Sequence, residues 1–174
     1  MGKRWLARGM AIAAVAICGQ SVLAAGIELP ARKPGAWDIR VTPKMPPGLP
    51  QMAMHLCLDA ATDKAIMERS LAFSEDCTMQ QSRDGESIVI DSVCERNGGK
   101  QTAHTVISGD FQSAYTIEIV GDGTPSTHAQ PTHTEITQQA QWLGECPADL
   151  KPGEVKLPSG QTINLLEALA KQGQ

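Results

Sequence analysis

The chain has 174 residues, with 15 basic and 19 acidic side chains and a formal net charge of −4. That is the length of a single domain, and its acidic balance argues against nucleic acid and anionic lipid as partners. Aromatic residues are only 3% of the chain, which leaves little for base stacking or for a sugar-binding platform.

Lys3, Arg4 and Arg8 precede an apolar run from Met10 to Val22, and Val22-Leu23-Ala24 ends in small residues. This pattern predicts a secretory signal over residues 1–24, too short and wrongly flanked for a membrane span. Cys18 follows Ile17, where a lipid-modified cysteine needs a small residue, so no membrane anchor is expected. Cleavage removes Lys3, Arg4 and Arg8 from the 15 basic residues and leaves 12 against 19 acidic, a net −7. The mature part is expected to comprise a β domain over 25–146 and a tail over 147–174.

Ala36 to Thr42 alternates, with Trp37, Ile39 and Val41 on one face, and reads as a half-buried strand. Four prolines between 43 and 50 force an extended loop. Gln51 to Leu58 alternates again. Asp59 then caps a helix expected over about Ala60 to Ala72. Further strands follow over 78–83, 87–94, 102–108, 111–120 and 132–143, separated by turns at Asp84-Gly85, Asn97-Gly98-Gly99 and Gly109-Asp110. Residues 121–131 read as a polar loop. Alternation predicts Ile88, Ile90, Ile117, Ile136 and Trp142 buried, with Glu118, Glu135 and Gln139 exposed. In the tail, Asn164 and Glu167 resemble a capping box before a short helix. The expected fold is mainly β: a curved antiparallel sheet or open barrel of about six to seven strands, with one covering helix and a short C-terminal helix.

The order of these elements carries a resemblance. A strand begins Pro34-Gly35-x-Trp37, a Pro/Met-rich loop follows, and Cys57-Leu58 opens a helix that leads to Cys77. A hairpin reaches Cys94, Gly109-Asp110 turns, and the last strand ends Gly144-Glu145-Cys146. Over about residues 34–146 this resembles the bacterial family called domain of unknown function 3617. The resemblance implies an exported Gram-negative protein and supplies no catalytic residues.

Four mature cysteines behind an export signal predict two disulfides. Cys57, Cys77, Cys94 and Cys146 lack the Cys-x-x-Cys spacing of zinc or thioredoxin-type sites. Pairing in sequence order suits the layout: Cys57–Cys77, worth roughly 3 kcal/mol by loop entropy, and Cys94–Cys146, worth roughly 4 kcal/mol. Met52, Met54 and His55 suggest copper, because thioether and imidazole are soft ligands. Strand alternation opposes this by placing His55 on the other face, so no metal or cofactor is expected. His128 and His133 fit no ligand spacing. His104, Ser108 and Asp110 hint at a hydrolase, yet Gly109-Asp110 is explained by a turn. The expectation is therefore a non-catalytic binding protein. Its partner would be a small apolar ligand or another protein, held along the sheet by Trp37, Trp142, Tyr115 and Ile117.

Overall fold

A computed structural model describes residues 29–72, 77–96, 99–124 and 130–172. The expected signal over 1–24, and Phe73 and His128, lie outside the described residues. Among the described residues nine strands and two helices follow one another: β1 (Gly35–Met45), β2 (Met52–Leu58), α1 (Ala60–Ala72), β3 (Cys77–Asp84), β4 (Ser87–Arg96), β5 (Gly99–Gly109), β6 (Ala114–Thr124), β7 (Thr132–Gly144), β8 (Glu154–Lys156), β9 (Thr162–Asn164) and α2 (Leu165–Gln172). The strands form one antiparallel sheet in the order β3-β4-β5-β6-β7-β1-β2-β8-β9, which does not close. Strands β3 to β7 are a continuous meander. The chain's first strand sits near the middle, between β7 and β2.

Register assigns the two faces. Trp37 lies opposite Leu56 on one side and Trp142 on the other, and Ile39 lies opposite Met54 and Ala140. Ile107 faces Ile88 and Ile117. The inner face therefore carries Trp37, Leu56, Ile88, Ile107 and Tyr115, all buried in one cluster with Ile66 of α1. The outer face is polar: Asp38 lies opposite His55 and Gln141, and His104 opposite Asp91.

The alternation assigns the expected faces. Glu118 and Gln139 are exposed and Ile88 is buried, but Ile90, Ile117, Ile136 and Trp142 are only half-buried. An open sheet explains the difference, because part of its inner face has no second layer above it. Glu135 is half-buried because its carboxylate leans on His133, 3.1 Å away. Phe111, expected within a strand, sits in the preceding turn at φ 58° and stacks on Tyr115 at 5.1 Å. Asp110 holds that turn by accepting from the backbone N–H groups of Gln112, Ser113 and Ala114.

Two more strands appear than the pattern predicts. Strands β8 and β9 have three residues each, too short to display an alternation. They continue the same sheet through Leu56↔Val155 and Val155↔Ile163, so residues after Cys146 complete the domain. Helix α2 then begins where Asn164 accepts from the Glu167 N–H at 3.1 Å, and it packs on α1.

The disulfides join Cys57 to Cys146 and Cys77 to Cys94, which corrects the expected Cys57–Cys77 and Cys94–Cys146 pairing. Strand order is the reason. Five strands separate β2 from β3, a path of about 29 Å along the sheet, whereas bridged cysteines need Cα atoms within about 7 Å. Cys77 instead faces Cys94 directly across the β3–β4 hairpin. Ala36 pairs with both Cys57 and Gly144, which brings Cys146 to Cys57 across the width of β1. Helix α1 has 13 residues, about 20 Å, and must cross the inner face to link β2 to β3.

Two outcomes are expected. A Cys57→Ser/Cys146→Ser variant, opening an 89-residue loop, should lose about 4–5 kcal/mol by denaturant unfolding, against about 3 kcal/mol for Cys77→Ser/Cys94→Ser with its 17-residue loop. Trp37 is fully buried, so Trp37→Ala should cost about 3–5 kcal/mol, and half-buried Trp142→Ala should cost less.

Candidate binding groove

Residues 29–34 enter β1 as a strap across the inner face. Pro30 and Pro34 prevent them from joining a sheet ladder, so their backbone groups need other partners. They find them. The Lys33 N–H donates to the Phe111 carbonyl at 2.9 Å. The Trp37 indole N–H donates to the Lys33 carbonyl at 2.9 Å, and the Trp142 indole N–H to the Pro34 carbonyl at 3.0 Å. Gln112 Nε2 donates to the Ala31 carbonyl at 3.2 Å. Gly35, at φ 131°, is where β1 passes closest to β7: a Cβ there would collide with Trp142 Nε1 and the Gly144 carbonyl.

Arg32 ties the strap to both layers. Its Nε donates to Asp63 Oδ1 at 2.6 Å, its backbone N–H to Asp63 Oδ2 at 3.0 Å, and its Nη1 to the Tyr115 hydroxyl at 3.3 Å. The side chains are 12% and 4% exposed, so the ion pair is buried. Burial works against the Arg32 charge, but Tyr115 and Asp63 outweigh it and raise the guanidinium above its ordinary pKa. Asp63 lies in the first turn of α1, where the helix dipole favours an anion. The helix start is fixed by Asp59, whose carboxylate accepts from the Thr62 N–H at 2.7 Å. Arg32 Nη2 is buried and has no hydrogen-bond partner.

Between this strap, α1 and β3 runs a groove of about 590 Å³. Leu29, Pro30 and Pro34 form one wall, Ala60, Asp63, Lys64 and Met67 the other, and Gln81 of β3 lies at one end. Gln81 Oε1 is buried without a partner. Lys64 and Glu68 form an exposed pair at 3.8 Å on the helix. Three smaller hollows, of about 220 to 260 Å³, are lined largely by polar side chains and glycine.

The four residues expected to line a ligand face do share the inner face, but they build the core and strap contacts. Phe111 stacks on Tyr115, Trp37 meets Tyr115 at a tilt of 52°, Trp142 lies beneath Lys33 Nζ at 3.5 Å, and Ile117 packs at the cluster's edge. None of Trp37, Trp142, Tyr115 and Ile117 lines the large groove. Met52 and Met54 share the inner face with Val41 and Ile39, while His55 is on the outer face with its Nε2 3.5 Å from Asp38 Oδ1. The structure does not bring the three together. Nor does it assemble His104, Ser108 and Asp110. His104 bonds Asp91 at 2.7 Å, Ser108 is four residues further along the same strand, roughly 13 Å away, and Asp110 is occupied by its own turn. Backbone N–H groups, that of Ser113 foremost, hold the Asp110 carboxyl well below the usual carboxylate range.

Arg32, Asp63, Met67 and Gln81 escape a reading of local patterns. One cue exists: Asp63, Ile66 and Met67 share a helix face at i, i+3 and i+4, so an acid sits on the stripe that must be buried. Such a placement calls for a cationic partner, but nothing nearby in sequence says it is Arg32, 31 residues away.

A family model described as "Protein of unknown function (DUF3617)" matches residues 32–146. The chain belongs to the DUF3617 family. Comparison with curated proteins and with solved structures gives no match. The span of the DUF3617 match opens at Arg32 and closes at Cys146, so it contains the ion pair and both disulfides, while β8, β9 and α2 follow it. Among the described residues, no helix is long and apolar enough to cross a membrane.

Removing the anion from the buried pair should be costly, because it strands the guanidinium. Asp63→Ala should lose roughly 3–5 kcal/mol by denaturant unfolding, and Arg32→Met/Asp63→Leu should recover most of that loss. On the outer face, His133 Nδ1 meets Asp122 at 2.8 Å and Nε2 meets Glu135 at 3.1 Å. Asp122 first, then Glu135, raises the imidazole above its ordinary pKa of 6.5. A raised folded value favours the charged form, so this contribution to stability is complete below about pH 6.5 and fades as pH rises through the higher folded value. Thermal melts between pH 6 and 9 should show a decline that His133→Gln flattens.

Proposed function

We propose that this DUF3617 protein is an exported, periplasmic binding protein without catalytic activity, which holds a small apolar ligand in the groove between the strap, α1 and β3. The observation that carries the reading is the groove itself. Its volume of about 590 Å³ falls in the range of small-molecule sites, and its walls mix Leu29, Met67 and prolines with a few fixed polar groups. Export is supported by the basic and apolar pattern of residues 1–24 and by two disulfides, which persist in oxidising compartments. The hydrolase alternative loses its one candidate constellation, because His104, Ser108 and Asp110 are not assembled.

Native mass spectrometry of protein purified gently from periplasm tests the reading. The wild type should carry a bound small molecule of defined mass, and Met67→Trp, which fills the groove, should lose it while melting at a similar temperature. A ligand retained in full by Met67→Trp would place binding elsewhere.

A further inference from the structure

We infer that the groove's occupant is a peptide in extended conformation, which pairs antiparallel with the open edge of β3 and sends one apolar side chain into the groove. This rests on the groove being the binding site and names what fills it. Strand β3 ends the sheet, with β4 as its one neighbour among the described residues. Register shows which of its backbone groups are spare. Cys77 and Cys94 lie directly opposite each other with Cα atoms 4.0 Å apart. That close spacing marks a non-hydrogen-bonded pair, since hydrogen-bonded pairs sit at about 5.5 Å. The pattern alternates. Met79, Gln81 and Arg83, opposite Ser92, Ile90 and Ile88, therefore also turn their N–H and C=O groups away from β4. An added strand takes up such groups. The edge carries none of the usual guards: residues 77–82 include no proline, glycine or charge, whereas the opposite edge, β9, is only three residues long.

The groove lies where such a strand would run. Among the described residues, Gln81 is the only strand residue that lines it, and Gln81 belongs to the spare set. Directly opposed residues share a face in an antiparallel pair. The peptide residue opposite Gln81 therefore points to the inner face, toward the walls formed by Leu29, Pro30 and Met67. Apolar walls select an apolar side chain there. Its two neighbours fall on the outer face beside Gln80 and Ser82, both exposed, and are free to be polar. Two places before the apolar residue, opposite Arg83, charge selects an acid, because Arg83 is exposed and has no ion-pair partner among the described residues. A second copy of the chain fits less well. It could set Met79 opposite Gln81, but Met79 is already half-buried in its own fold, and both copies carry the same acidic excess.

Isothermal titration calorimetry tests this, using the full mature chain with both disulfides intact and the probe acetyl-Thr-Glu-Thr-Leu-Thr-Val-Thr-amide. In the expected register Leu exchanges two backbone hydrogen bonds with Gln81, while the N–H of the Thr that follows it points away from β3. N-methylation at Leu should weaken binding at least about tenfold, and N-methylation at that Thr less than about threefold. Met67→Trp, or Ala in place of the probe's Leu, should weaken it at least about tenfold. Arg83→Glu should weaken it about two- to fivefold, and a probe with Lys in place of Glu should regain the loss. If the two N-methyl probes bind alike while Met67→Trp weakens binding, the edge inference falls and the groove reading stands. A probe that does not bind, while native mass spectrometry finds a ligand that Met67→Trp removes, has the same meaning. If Met67→Trp leaves probe binding unchanged, both fall. Sedimentation showing a dimer that the probe does not dissociate would give the edge to a second copy and overturn the peptide.

Discussion

The ion pair between Arg32 and Asp63 holds the two layers of this protein together. Helix α1 has little apolar surface of its own. Among its described side chains only Asp63 and Ile66 are buried, so hydrophobic packing alone gives it a weak grip on the sheet. The pair supplies the rest. It fastens α1 to the strap, and through Arg32 Nη1 and the Tyr115 hydroxyl it fastens both to β6. A buried ion pair often adds little net stability compared with an apolar replacement, but it specifies geometry, because neither charge tolerates losing the other. Here the geometry it specifies is the position of the groove's two walls.

The strap is the second half of that arrangement. Both tryptophans beyond the expected signal, Trp37 and Trp142, donate their indole N–H groups to strap carbonyls, Lys33 and Pro34. Each ring thus packs against the sheet and also spends its one polar group on the segment above it. With aromatic residues so scarce, the two indoles serve core and strap together.

The open sheet poses a different problem, because it has two edges and no closing hydrogen bonds. Covalent links offset this. Cys77–Cys94 locks the hairpin at one edge, and Cys57–Cys146 ties the end of β7 across β1 to β2. The residues after Cys146 then extend the other side with β8 and β9 and return α2 to α1. The helical layer is therefore built from both ends of the domain, and a segment that reads as a tail in sequence completes the fold.

Much of this is legible in the sequence because it depends on local chemistry. Seven strands, the helix over Ala60–Ala72, the capped C-terminal helix and the two sheet faces follow from period-2 alternation, turn residues and capping side chains. Each of these acts within a few residues of itself. The four cysteines after the expected signal and the family resemblance are legible for the same reason, being properties of residues in order. The disulfide partners, the strands β8 and β9 and the groove are not. Cysteine pairing depends on which strands become neighbours, and a sheet order of β7-β1-β2 places Cys57 beside Cys146 although 89 residues separate them. Trp37, Trp142 and Tyr115 read in sequence as core before pocket, and the contacts with the strap and with one another place them in the core. Arg32, Asp63, Met67 and Gln81 come from a coil, a helix and an edge strand. No periodicity links them, and only the crossing of α1 over the sheet brings them to one groove.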